Sequence, residues 1–326
     1  SVYSDVLASD VPDDPFLQRE LELYFPVQLR DAYTEQMKTH ALRREIIATR
    51  LTNSTVNRAG ITFVFRMADE TGMSAPDIVR AHAAALEIFG ATPIWDDIER
   101  LDGVVDVAVQ RSMFMDVRTL AERASRWLLR NRRQPLQINE TVSYFAADLA
   151  RLAERLPELL TGGVSAAFSE SVKGLVGVGV PEDLARRVAG LPAMLSGLDI
   201  IDIAQTTGKE LEEAASVYFA LGDVLVLDWI RDQIAKLPRD DRWGALARAA
   251  LRDDLYSVRA AITAEVLRAG AAGRPGTEQV RAWFDKMGTA CTRCLGALDE
   301  IVAGGRSDLA TLSVALREVR GLAQSG

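Results

Sequence analysis

The chain has 326 residues, 48% hydrophobic and 26% charged, which places it among folded globular proteins and outside the disordered and collagen-like classes. Lys and Arg number 38 against 46 Asp and Glu, a net charge of −8 that argues against a surface built to neutralise phosphate, so no nucleic-acid partner is expected. Two cysteines cannot frame a disulfide-rich domain in a chain this long, and a reducing, cytoplasmic setting is the simplest expectation.

Apolar residues recur at helical spacing, Pro and Gly punctuate them, and alternating strand patterns are scarce, which predicts an all-α fold. Ser74-Ala-Pro-Asp77 reads as a capping box opening a helix that ends near Gly90 and carries the stripe Ile78, His82, Ala85, Leu86 and Phe89. Pro93 marks a break, Ile94, Ile98 and Leu101 follow at short periods, and a long helix is expected from beyond Gly103 to about Arg130. Pro135 and Asn139 introduce another, whose Val142, Phe145, Leu149, Leu152, Leu156 and Leu159 share one face before Gly162-Gly163. Residues 164–180 read as a flexible connector, because the close glycines Gly174, Gly177 and Gly179 lack the preceding strand and distant acidic residue of a dinucleotide-binding loop. A second long helix is expected from Thr277 to Ala303, ending at Gly304-Gly305, and a last one capped by Ser307. The most apolar run, Val217 to Ile230, is interrupted by Asp223 and Asp228 and is too short to span a bilayer, so no membrane partner is expected.

Thr71-Gly72 and Thr207-Gly208, Ile98 and Ile234, and Leu101 and Leu237 match at one constant offset. Val117-Arg118 with Val258-Arg259, Phe145 with Phe284, and Gly162-Gly163 with Gly304-Gly305 continue the series in the same order with small drifts. The expectation is two pseudo-repeats of a helical bundle. Residues 1–44 would form a connecting segment, 45–181 the first repeat with its connector, and 182–326 the second repeat with a C-terminal helix.

Cys291-Thr-Arg-Cys294 has the spacing of a metal or redox pair, yet it lacks further ligands and both sulfurs fall in an apolar stripe, so core packing is expected. The run Arg126 to Arg133 mixes cations with Trp127 in the manner of a nucleic-acid contact, but its place in the last turn of a helix suits the negative end of the macrodipole. His40 and His82 have no companion nucleophile in local motif context, and His82 reads as structural. No paired catalytic carboxylates, phosphate loop or nucleophile elbow is evident, so no catalytic, cofactor-binding or metal-binding residue is assigned. Arg50, Asn53, Ser54 and Asn57 lie along one helical face between the apolar pairs Ile46-Ile47 and Phe63-Val64, where amides and a guanidinium in register can either brace a neighbouring element or face solvent.

The segments Leu7-Ala-Ser-Asp10-Val-Pro12-Asp13-Asp14-Pro15, Leu21-Glu-Leu-Tyr24-Phe25-Pro26, His40-Ala-Leu42-Arg43-Arg44-Glu45-Ile46-Ile47-Ala48-Thr49 and Leu51-Thr52-Asn53, with Val56-Asn57-Arg58, resemble the C-terminal region of the large bacterial NAD-specific glutamate dehydrogenases. Agreement is densest from Leu7 to Gly72 and continues through Phe89 and the Trp95 to Leu101 segment. The resemblance implies a parent enzyme that oxidises L-glutamate with NAD to 2-oxoglutarate, ammonium and NADH, its catalytic lysine and aspartate and its Rossmann domain lying upstream. It implies that this chain holds no cofactor itself, that its partners are the upstream domains of the same polypeptide, and that the parent forms a homo-oligomer. The absence of an initiator Met fits a piece of a longer chain. Arg50, Asn53, Asn57 and Arg58 are the candidates for interdomain contact. The alternative is a stand-alone helical repeat scaffold that binds a protein partner; an independent helical enzyme is a third reading.

Overall fold

The computed structural model describes residues 1–30, 32–238, 241–270 and 273–324, and every regular element among them is helical, as the hydrophobic spacing predicts. The chain divides into two compact units, Ser1–Ala147 with Leu175–Leu191, and Asp148–Gly174 with Pro192–Gly326.

The first unit opens with α1 (Val2–Ala8), two 3-10 turns (Val11–Asp13 and Pro15–Leu17), α2 (Gln18–Tyr24), α3 (Val27–Arg30) and α4 (Thr34–Lys38). It continues with α5 (Arg43–Ala59), α6 (Phe63–Thr71), α7 (Ala75–Ile88), α8 (Ala91–Glu99), α9 (Val107–Asn131) and the start of α10 (Ile138–Leu159). Helix α7 is the centre. The Ser74 hydroxyl accepts the Asp77 amide at its start, as the capping box predicts. Its Ile78, Val79, Ala81, Ala84, Ala85, Leu86 and Ile88 are buried against α1, α5, α6, α8 and α9, each large aliphatic contributing about 1.5–3 kcal/mol. Arg80, 3% exposed on the same helix, reaches Asp10 at 3.0 Å, and Val6, Val11, Leu17 and Leu21 are buried, so the first two dozen residues complete this core.

Helices α11 (Gly162–Gly177) and α12 (Glu182–Met194) each run through a boundary between the units. The second unit then builds α13 (Gly197–Thr207), α14 (Leu211–Val224), α15 (Leu227–Lys236), α16 (Arg242–Ala269), α17 (Gly276–Met287), α18 (Thr289–Ala303) and α19 (Leu309–Ala323). Here α14 is central, packing on α13, α15, α16 and α17, while α19 covers α15, α16 and α18. Buried Arg259 braces three helices: its Nε and Nη2 donate to the Tyr218 carbonyl at 3.2 and 3.0 Å, its Nη1 meets Asp228 at 3.2 Å, and its guanidinium stacks on the Tyr218 ring. Helices α6 and α13 both end at a Thr-Gly pair, where the Thr71 and Thr207 hydroxyls each donate to the carbonyl four residues back at 2.6 Å.

Four boundaries differ from the sequence expectation. Pro93 does not break a helix: it sits in the first turn of α8, where its missing N–H is not needed, and the break falls at Gly90. Residues 164–180 are no flexible connector but mostly helix α11, closed by Gly179 and Val180 amides donating to the Val176 and Leu175 carbonyls, with Val180 buried beneath. The Thr277 to Ala303 stripe is split into α17 and α18 at Gly288, whose φ of +54° and ψ of −117° exclude a side chain. Asp308, not Ser307, caps the last helix through the Thr311 amide at 2.8 Å.

Close approach sets the position of α17. A Cβ on Gly276 would lie 2.4 Å from the Ser216 carbonyl carbon and 2.5 Å from the Val217 nitrogen, both α14 backbone. Chemical denaturation of Gly276→Ala should show a loss of about 3 kcal/mol, because two backbones must separate. Gly90→Ala, at a left-handed position with open space around it, should lose about 1 kcal/mol from conformation alone.

Candidate functional site

Helix α5 buries Ile47, Ala48, Leu51, Thr55 and Ala59, the i, i+4, i+8 pattern of a stripe facing the core. The polar face beside it, Arg50, Asn53, Ser54, Asn57 and Arg58, lines a cavity of about 520 Å³. Leu17, Leu51 and Leu86 supply buried apolar walls, with half-exposed Leu23 at the rim. All four contact candidates from the sequence therefore share one concave surface, whose remaining sides come from α2, α7 and α8.

Most charges here are already paired. Arg50 Nε donates to Glu20 Oε2 at 3.1 Å and Arg19 Nη2 to Glu87 Oε2 at 2.7 Å. Arg58 is different: its Nη1 donates to the neutral Thr92 hydroxyl at 2.9 Å, its guanidinium stacks on Trp95 at 4.7 Å, and no carboxylate among the described residues forms an ion pair with it. Burial lowers its pKa, while the fields of Glu20, Asp96 and Glu99 act in the opposite sense. Asn53 and Asn57 are exposed, and neither amide has a hydrogen-bond partner among the described residues.

His82, 2% exposed, lines the same cavity from α7. Ser125 gives its own proton to the Ala121 carbonyl at 2.6 Å, which leaves the His82 Nδ1–H to point at the Ser125 oxygen, 3.4 Å away, and the buried Nε2 without a partner. Burial first, then the charge of Arg58, pushes its pKa down to about 3, so the imidazole is neutral. Its place in an apolar stripe is legible in the sequence; its orphan nitrogen, like the contributions of Glu20, Glu87, Thr92 and Trp95, depends on which helices meet and has no local signal.

The other singled-out residues serve the cores. Cys291 and Cys294 are buried on α18, and burial pushes the Cys294 thiol up to about 12, far from a reactive thiolate. Arg126, 5% exposed, pairs with Glu70, while Trp127 meets Phe145 edge to face under Arg132, so the basic run is a packed helix end. No group of three or more potential metal ligands occurs among the described residues. Among the described residues no single helix is long and apolar enough to cross a membrane; the bent pair α12 and α13 passes by length and composition, with Leu184, Val188, Ile200 and Ile201 buried.

Fold and site together define an all-helical module that carries a concave polar groove. The chain belongs to the family described as "Glutamate dehydrogenase, C-terminal", which matches residues 1–321. It is similar to the NAD-specific glutamate dehydrogenase of Mycobacterium tuberculosis, 39% identical over 316 residues, covering 97% of this chain and 19% of that protein. Proteins of the same name from Pseudomonas aeruginosa and Halomonas elongata are 38% and 36% identical over 320 and 321 residues, each covering 98% of this chain. The chain spans about a fifth of the length of these relatives.

The depressed pKa of His82 has a testable sign. Unfolded, the imidazole binds a proton below 6.5; folded, it resists until about 3, so between these values the unfolded state holds more protons and stability falls as the pH falls. Denaturant titrations from pH 7 to 4 should show a slope contribution of up to about 1.4 kcal/mol per pH unit that is missing from His82→Phe. Parallel profiles for the two proteins would refute it.

Proposed function

We propose that the chain is the C-terminal helical module of an NAD-dependent glutamate dehydrogenase, a polypeptide converting L-glutamate and NAD to 2-oxoglutarate, ammonium and NADH, and that the module itself is non-catalytic. The observation that carries this reading is the match of nearly the whole chain to a fifth of enzymes five times its length. The groove chemistry supports it: Glu20 and Glu87 are held in ion pairs, and burial pushes the His82 pKa down to about 3, too weak a base to take up a proton near neutral pH. NAD and the reacting groups belong to upstream domains of the same polypeptide in this reading, which form the module's partners in a cytoplasmic homo-oligomer, with neither nucleic acid nor membrane involved.

The α5 face supplies the contact. Asn53 and Asn57 are exposed with idle amides, while Arg50 and Arg58 hold the wall behind them, an arrangement suited to hydrogen bonds with another domain. Residues 45–181 and 182–326 are read as two copies of one helical design, supported by the paired Thr-Gly ends of α6 and α13.

Alanine at Asn53 and Asn57 should cost about 1 kcal/mol each in the full-length polypeptide and lower its glutamate-dependent NAD reduction. The same changes in residues 1–326 alone should shift stability by less than about 0.5 kcal/mol. Wild-type stability and activity of the full-length double variant would sink the contact role.

A further inference from the structure

The groove has three properties that a domain contact through Asn53 and Asn57 leaves unexplained. It is concave, with a volume of about 520 Å³ that suits a small molecule more than a flat protein face. Its walls are amphipathic, with Leu17, Leu51 and Leu86 opposite the polar face of α5. Its charge is uneven: Arg19, Arg50 and Arg58 face Glu20 and Glu87, and because each glutamate is held by its own arginine, the positive charge of Arg58 is left over.

We propose that this groove binds a small monocarboxylate with a hydrocarbon body, the carboxylate on Arg58 and the hydrocarbon against Leu17, Leu51 and Leu86. The guanidinium is prepared for it. Stacking on Trp95 and the bond from Nη1 to Thr92 fix its plane while leaving other N–H donors for a carboxylate, and half-burial strengthens such a charged hydrogen bond. The neutral imidazole of His82 adds no second positive charge. A dicarboxylate is disfavoured, since its second charge would be desolvated against Leu17, Leu51 and Leu86. An amine is disfavoured by Arg58 itself. The proposal goes beyond the module's role as a domain contact and does not depend on it, because the ligand engages Arg58 and the apolar wall, not the rim amides.

The test is calorimetric titration of residues 1–326 with 4-methylpentanoate, with glutarate and 4-methylpentylamine as the dicarboxylate and amine probes. Saturable binding of 4-methylpentanoate is expected with a Kd on the order of 1 mM, and about tenfold or weaker binding of both other probes. Arg58→Gln, its fold checked by circular dichroism, should weaken binding by about tenfold or more. Ala83→Leu, which fills the cavity from α7 and keeps every charge, should weaken it by a similar factor and keeps the idea testable if Arg58→Gln does not fold. Absence of saturable heat up to about 20 mM, equal binding of glutarate, or unchanged binding by a folded variant would overturn the proposal. These outcomes leave the contact role of Asn53 and Asn57 untouched, just as failure of their alanine variants would leave ligand binding standing.

Discussion

Everything in the first unit follows from burying α7 on nearly every side while that helix carries an arginine and a histidine. A buried guanidinium is costly unless paired, so Arg80 requires Asp10, which draws α1 and the turns after it onto the core. A buried imidazole avoids the same cost by staying neutral, and its Nδ1 faces the Ser125 hydroxyl oxygen on α9. The helices around α7 are thus chosen by polar demands as well as by the hydrophobic effect. The groove lies where four of these elements, α2, α5, α7 and α8, converge.

Charge is used unequally across the molecule. Pairs such as Arg186 with Glu182 and Arg155 with Glu158 sit on exposed helix faces, where solvent screening leaves each worth little. Arg80, Arg126 and Arg259 are 3–5% exposed, and each is tied to an acid on another element, so they decide which elements become neighbours. Arg58 belongs to neither group. It is half-buried, yet it rests on a hydroxyl and an indole, groups that hold a cation in place without neutralising it.

Helical periodicity made the all-α class and most helices legible, and Ser74 with Asp77 marked the start of the central helix to the residue. The polar face of α5 was readable for the same reason: Arg50, Asn53, Ser54 and Asn57 follow the helical repeat, so they must share a side wherever that helix lies. What periodicity does not carry is backbone handedness at single residues. The apolar stripe from Val280 to Val302 runs unbroken through Gly288, and a positive φ there is what turns one helix into two. Nor does it carry tertiary proximity, and Glu20, His82 and Thr92 enter the site by that alone.

The second unit differs from the first in how its strained and charged residues are held. Both units place a left-handed residue between the central helix and the next one: Gly90 before α8, and Val226 before α15, where a β-branched side chain sits at φ +48° against its steric preference. Such a residue is tolerated when packing determines the turn, and Leu225 and Leu227 on either side of Val226 are buried at 0% and 1%. Arg259 in the second unit's core is fully spent, bonded to the Tyr218 carbonyl and to Asp228 while its guanidinium fills the space above Gly222. A guanidinium satisfied by its own chain is a brace. One left on a hydroxyl at the wall of a cavity can still gain by meeting an anion, and that difference in satisfaction separates Arg58 from Arg259.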